Sequence, residues 1–542
     1  MGDTNLNGPD KKVNRRSVIT IVGFMIFAQF FGAGNLIFPP FLGFVGGNEW
    51  VIGFIFFFIF DAILGIMGLA ASGKFPQVEI GTYYRPGRMF MLITGGIGVF
   101  ITSALVVPPR AALTSYEVFL RPIMAGGFEN VQPTSGLQAL AVIFLLVYFG
   151  LATLCAIRPS KVVDIMGKWL TPFLLVVLIV LIIVGLANMG NTGVRVGAYP
   201  TSSPSLIAFG VAQGLQTFDG PTGTLVAIII LVNLIGRGIT KTNEQTKTII
   251  KSGFVAAICL GIIYIGLALL GAFYSNDPFL MAMYENQGGV DQTYLLNYIL
   301  SNTLGLGGTA IFGLAILLAT FTTALGCLGL ASEFFSSISG RKISYKAGVF
   351  AYAIIGFIVA VILSTTPSGV QTLLNLTLPF LLITMPITVV LIVLNLFSEK
   401  INNDNVYRGA TIAAGIWGLM NGLAYAFYAF GPVVSIPGVY TGPMPSPSLD
   451  WFYNIYGAMF GSNIYSTNFQ IGVAGTPFGS WNILSVLTGD LGYIIPSIIG
   501  AVIGAFIKKG GYSERPYLRE HAGDESFDYA AFKAKKGTAG AA

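Results

Sequence analysis

The chain has 542 residues, of which 54% are hydrophobic and only 10% charged, with a mean hydropathy of +0.76. Soluble domains carry roughly 25% charged residues, so a soluble globular protein is excluded and a polytopic membrane protein is expected. The single histidine, His521, lies in a polar tail, and Cys155, Cys259 and Cys327 all fall in apolar segments. The histidine's place excludes His-based metal or catalytic chemistry in the membrane, the cysteines suggest neither a disulfide framework nor a metal cluster, and no cofactor is expected.

Residues 1–16 are polar and end in Lys11, Lys12, Arg15 and Arg16. The first apolar segment is too long for a signal-peptide core and lacks a small-residue cleavage site, so no cleavable leader is expected. Apolar segments follow at 17–45, 50–72, 91–120, 137–156, 163–188, 205–236, 253–274, 307–338, 347–364, 370–397, 408–430 and 491–507. Each reaches or nearly reaches the roughly 20 residues that cross a bilayer, which predicts twelve spans. With the N-terminus inside, 26 of the 29 lysines and arginines fall on inner segments; Arg110 is inside a span, and Arg121 and Arg195 are outside. An odd error in the span count would destroy that alternation, so both termini are predicted to be cytoplasmic. The positive net charge of +6 therefore reports topology, and no nucleic-acid partner is expected. The division predicted is a segment 1–16, a ten-helix core 17–397, a region 398–430 with helix 11, an outer loop 431–490, helix 12 at 491–507 and a tail 508–542. Residues 240–252 are expected to form a short inner surface helix. The 431–490 loop has no Lys or Arg and is rich in Pro, Gly, Ser and aromatics, which suggests a cap over the outer face.

Two spans are interrupted. The first contains Phe30-Phe31-Gly32-Ala33-Gly34-Asn35 followed by Pro39-Pro40, and the sixth contains Thr217-Phe218-Asp219-Gly220-Pro221-Thr222-Gly223. Glycine and proline disfavour a continuous helix, and broken helices are tolerated in hydrocarbon only where the freed backbone faces protein or a cavity. If spans one to ten form two halves of five, both breaks open a half, and an odd number of spans inverts one half against the other. Discontinuous helices at matching positions point to a secondary transporter's site. Freed N–H groups suit a carboxylate, while freed carbonyls suit an ammonium group or a small cation, so an amino acid plus a cation is the natural cargo. In the eighth span, Thr322 and Thr323 lie three and four residues after Ala319 and share its helix face. Their hydroxyls and a carbonyl offer hard oxygens to sodium, although threonines in membrane helices also bond back to their own carbonyls.

The stretch Phe-Phe-Gly-Ala-Gly-Asn-Leu-Ile-Phe-Pro-Pro-Phe-Leu-Gly at 30–43 resembles the bacterial branched-chain amino acid:cation symporters. Further matches are Pro109-Arg110-Ala111 with Glu117, Thr217-Phe218-Asp219, and Thr322-Thr323-Ala324 with Glu333-Phe334. The resemblance implies a leucine-transporter-type fold: an all-α inverted repeat of five plus five helices, with helices 1 and 6 broken, and two extra helices. It implies that Ala33 and Gly34 offer N–H groups to the substrate carboxylate, with Gly32 and Asn35 in the same wall, and that Asn35 and Thr217 either help a second cation site or brace the break. The Phe30 carbonyl and carbonyls near Phe218 would face the amine, alongside Thr217, Asp219 and Gly220. The carbonyls of Ala28 and Phe31, with Ala319, Thr322 and Thr323, would form a sodium site.

Asp61, Arg110, Glu117, Asp219 and Glu333 fall within or at the edges of spans, where charges are costly and usually paired or functional. Arg110 and Glu117 are candidate coupling or structural charges. Asp219, at the break, could orient the unwound segment, meet the substrate amine, carry a proton or pair with Arg110. Asp61 and Glu333 read as structural. The expected function is import of Leu, Ile and Val by Na+ symport across the cell membrane. Alternatives are H+-coupled transport of other neutral amino acids, a non-transporting amino-acid sensor, or a channel. No enzyme chemistry is expected, since there is neither an intramembrane His nor a phosphate-binding Gly-rich loop with Lys.

Overall fold

The computed structural model describes residues 15–74, 82–83, 85–125, 135–157, 171–188, 193–196, 204–239, 242–287, 290–339, 342–366, 368–398, 400–401, 403–430, 433–436, 440–443 and 493–507. Helices occupy all twelve predicted segments. Span 1 is Arg15–Phe30 plus Ala33–Gly46, and span 6 is Pro204–Gln216 plus Asp219–Gly236, each divided by two non-helical residues. The remaining spans are 50–72, 88–125, Ser135–Ala156, Thr171–Ala187, Thr242–Phe273, 306–338, Tyr345–Ser364, Gly369–Leu396, Asp404–Phe430 and Ile494–Phe506.

Three local results differ from expectation. Thr242 opens a single helix that runs to Phe273, so the expected surface helix is the first turns of span 7. With no proline between these positions, nothing ends the helix at the membrane boundary. Between spans 7 and 8 lie a short helix, Pro278–Gln287, and a second over 292–304 that turns into span 8 at Gly305, whose φ of 63° is accessible to glycine. Inside the outer segment, Val433–Ile436 pairs antiparallel with Tyr440–Pro443, a small ribbon added to an otherwise all-α bundle. Its β-branched Val433, Val434 and Ile436 favour an extended chain. The capping role expected of 431–490 concerns mostly residues outside those described, as do 1–14 and the tail from 508.

The packing pattern carries the repeat that sequence identity hides. Span 1 packs on span 7 and span 6 on span 2; span 5 meets span 7, while span 10 meets span 2. Span 3 also packs on span 8, and span 4 on span 9. Shifting every number by five maps this set of neighbours onto itself, as two five-helix halves require. Both exchanged interfaces are made by glycine. A Cβ on Gly43 would lie 1.9 Å from the Ala268 carbonyl oxygen, and one on Gly271 1.8 Å from that of Pro40. On the other side, a Cβ on Gly223 would lie 2.1 Å from the Gly65 oxygen and one on Gly210 2.1 Å from that of Gly53. Small residues let backbones approach where lipid offers no hydrophobic drive between helices. Spans 11 and 12 join to each other in the same way, through Gly409, Gly500 and Gly504.

Candidate binding site at the two helix breaks

In span 1 the helix stops at Phe30. Phe31 N–H still donates to the Phe27 carbonyl at 2.7 Å, but Gly32 is extended (φ −116°, ψ −166°) and its N–H donates to Asn35 Oδ1 at 3.2 Å. Asn35 thus reaches back over the new N-terminus, one half of a capping box. Two consequences follow. The Ala28 carbonyl loses the donor that a continuous helix would have supplied. Ala33 and Gly34 become the first residues of the second half-helix, whose N–H groups have no intrahelical acceptor.

The freed carbonyl meets span 8. Thr322 Oγ1 donates to the Ala28 oxygen at 3.1 Å and to that of Ala319 at 2.7 Å. Thr323 Oγ1 donates to the Phe31 oxygen at 3.3 Å and to that of Ala319 at 3.4 Å. All five predicted oxygens therefore converge, two contributed by span 1 and three by span 8. Each threonine both bonds back to its own helix and bridges to span 1. The donor set is buried, neutral and all oxygen: three carbonyls and two hydroxyls. That chemistry suits a small hard monovalent ion, because divalent oxygen sites typically add carboxylates and softer metals prefer imidazole or thiolate.

The sixth-span break is held differently. Phe218 is left-handed (φ 68°, ψ 18°), unlike every other non-glycine among the described residues. Such a conformation costs of order 1–3 kcal/mol and needs its surroundings to impose it. Arg110 from span 3 does so. Its guanidinium donates to the Gln216 carbonyl at 2.7 Å and the Thr217 carbonyl at 3.0 Å, capping the first half-helix, and it lies 5.9 Å from the Phe38 ring and 6.0 Å from that of Phe218. The Phe218 oxygen accepts from Thr222 N–H at 3.0 Å. The carbonyls near Phe218, expected to face the amine, therefore each accept one hydrogen bond inside the protein and keep a second lone pair. Thr217 Oγ1 turns back to the Gly214 oxygen at 2.6 Å. Gly220 packs on span 2; its carbonyl would lie 2.7 Å from a Cβ on Gly68. Phe30 packs beside Gly65 of span 2 with its side chain fully buried.

Arg110 and Glu117 do not pair with each other. Glu117 Oε1 accepts from the Gly369 and Val370 N–H groups at 2.8 and 3.2 Å, capping the N-terminus of span 10. Arg110 caps the C-terminal end of a half-helix, and both placements agree in sign with the helix dipole.

Two residues of this region were not singled out as site candidates by the sequence. Asp61 sits in a π-helical turn, Ile59–Ile63, of span 2, and Tyr264 lies on span 7. Asn35 Nδ2 lies 2.9 Å from Asp61 Oδ1, 3.2 Å from Asp219 Oδ2 and 2.6 Å from Tyr264 Oη. One amide thus ties spans 1, 2, 6 and 7 together at the level of both breaks. A π-turn often marks a functional position, but it leaves no composition signal. An acidic residue inside an apolar run was the one hint available for Asp61.

The pattern of a family described as branched-chain amino acid transport protein matches residues 15–468. A protein of Staphylococcus aureus (strain bovine RF122 / ET3-1), named as a branched-chain amino acid carrier, is 29% identical over 80% of this chain and 93% of its own. A similarly named protein of Staphylococcus haemolyticus is 30% identical over 72% of this chain and 85% of its own. Among solved structures, the manganese transporter of Eremococcus coleocola shares the fold, with a TM-score of 0.51 at 12% identity over 93% of this chain and 98% of that one.

Proposed function

Since this chain belongs to the family of branched-chain amino acid transport proteins, a family of membrane transporters and not of enzymes, we propose that it imports leucine, isoleucine and valine by symport with Na+ through alternating access. The observation that carries the sodium assignment is the convergence of the Ala28, Phe31 and Ala319 carbonyls with the Thr322 and Thr323 hydroxyls. Two of these oxygens flank the break of span 1 and three belong to span 8. An ion bound there fixes the broken helix against its neighbour.

The same break presents the substrate wall. The N–H groups of Ala33 and Gly34 begin a half-helix, and its positive end favours a carboxylate. The Phe30 carbonyl, at the end of the preceding half-helix, is positioned to meet the amine. Sodium that stabilises this arrangement raises amino-acid affinity, and the amino acid raises sodium affinity by the same factor. The membrane potential adds roughly 2.3 kcal/mol per inward charge per 100 mV. The protein works in the cell membrane with both termini in the cytoplasm, the orientation that its Lys and Arg distribution favours.

Uptake of radiolabelled leucine, isoleucine or valine into proteoliposomes, with and without an inward sodium gradient, tests the reading. Accumulation is expected only with the gradient. Binding without accumulation would make the protein a sensor, and accumulation indifferent to sodium would remove the five-oxygen site from the mechanism.

A further inference from the structure

The cluster around Asn35 has chemistry that the sodium site does not use. Asp61 and Asp219 are both buried, at 0% and 4% exposure, and each brings an oxygen within 3.2 Å of the same Asn35 nitrogen. The second oxygen of Asp61, Oδ2, is buried and has no hydrogen-bond partner among the described residues. Arg110 on span 3 is the cation whose field reaches both carboxylates, and its guanidinium is directed to the Gln216 and Thr217 carbonyls. Among the described residues, the other titratable groups facing the cluster are the Tyr264 phenol on span 7 and the Cys327 thiol on span 8, both neutral in their ordinary forms. Two carboxylates against one guanidinium leave one negative charge uncompensated. An uncompensated buried charge costs several kcal/mol, and two carboxylates at one site do not both stay ionised without a further positive charge.

We propose that Asp61 and Asp219 form a second coupling site that holds one proton between them, separate from the five-oxygen sodium site. The proton sits on one carboxyl and is donated toward the other, which satisfies an oxygen that the surrounding helices leave bare and brings the local charge to zero. Its removal sets two carboxylates against each other across Asn35. That repulsion opens the tie joining spans 1, 2, 6 and 7, so a bound proton favours the packed arrangement of both breaks. The proton's part in transport rests on the proposed symport, whereas its presence between the two carboxylates does not.

Infrared spectroscopy of the full-length protein in lipid, with and without isotope-labelled aspartate, reads that presence directly. The wild type is expected to show a protonated-carboxyl band near neutral pH that shifts with aspartate labelling. Asp61→Asn and Asp219→Asn should each abolish it, because either leaves a single carboxylate balanced by Arg110. A wild type without the band overturns the proposal, and so does a band that survives both substitutions. Loss of the band on adding Na+ at constant pH would mean that sodium fills the site, which overturns the proton assignment. In proteoliposomes at saturating sodium, the half-saturating leucine concentration of the wild type should rise about tenfold per pH unit above the pair's midpoint, as one linked proton requires. In both Asn variants that dependence should flatten, and an unchanged profile counts against the proposal. If the wild type takes up no leucine, the transport reading fails while the infrared band still decides the carboxylate pair.

Discussion

Thr322 and Thr323 show how one residue type answers two demands. Their hydroxyls bond to the carbonyls of Ala28, Phe31 and Ala319, both within span 8 and across to span 1. In the proposed sodium site the same oxygens would coordinate the ion. A hydrogen bond to a charged partner contributes about 1.5–3 kcal/mol, which sets the scale expected for one oxygen ligand. Thr323→Ala should therefore raise the sodium concentration for half-maximal leucine uptake by about tenfold or more, and Thr323→Ser should restore most of the loss. Sodium titration of uptake checks this, and an unchanged midpoint would remove Thr323 from the site. Arg110 is constrained in another way. Two carbonyls accept from its planar fork, a geometry a lysine cannot reproduce. Arg110→Lys should loosen the Phe218 break, seen as faster amide exchange across residues 216–222, with lower uptake at unchanged expression. Protection equal to the wild type would show that the break holds itself.

At the scale of elements, the bundle is assembled through backbone contacts at glycine. Gly223 faces the Gly65 carbonyl, a backbone atom that cannot rotate aside, so Gly223→Ala forces spans 2 and 6 apart. Overpacking of this kind costs about 1–3 kcal/mol or more, and thermal unfolding in detergent should report a lowered midpoint. Gly236, whose Cβ would meet nothing within 4 Å, is the control: Gly236→Ala should leave the midpoint near the wild-type value. A second fastening joins the segment after span 2 to span 11. Arg85 Nε lies 3.0 Å from Asp404 Oδ1, with both side chains buried, and the guanidinium also donates to the Ile401 carbonyl at 2.6 Å and to Tyr407 Oη at 2.7 Å. Removing one partner strands the other, so Arg85→Met should cost about 3–5 kcal/mol. The exposed pair Arg15–Glu244 should contribute no more than about 1 kcal/mol, and Arg15→Met is the comparison to make in the same assay. Equal effects of the two substitutions would contradict this account.

For the whole molecule, the alternation of basic residues predicts an orientation that a labelling experiment can read. In a background with Cys155, Cys259 and Cys327 replaced by alanine, Val196→Cys places a thiol at an exposed position between spans 5 and 6. An impermeant maleimide should label it in intact cells, whereas Thr4→Cys should be labelled only after permeabilisation. The reverse pattern would overturn the orientation.

The sequence by itself determined the class, the span count, the two breaks and the family. These depend on apolar length, on where Gly and Pro fall and on which loops carry Lys and Arg, and all are local properties of the chain. It also put Thr322 and Thr323 on one helix face with Ala319. What only the tertiary structure decided is which freed groups meet. The Ala28 and Phe31 carbonyls reach span 8, Arg110 donates to the Gln216 and Thr217 carbonyls beside Phe218, and Glu117 turns to span 10. The meeting of Asp61, Asp219 and Tyr264 at Asn35 was not legible, because they lie 26, 184 and 229 residues from it, on three other spans. Local pattern specifies a helix and its interruption. Hydrogen-bond satisfaction in a medium without competing water is settled between helices, and that is where the oxygens of the proposed proton and sodium sites are brought together.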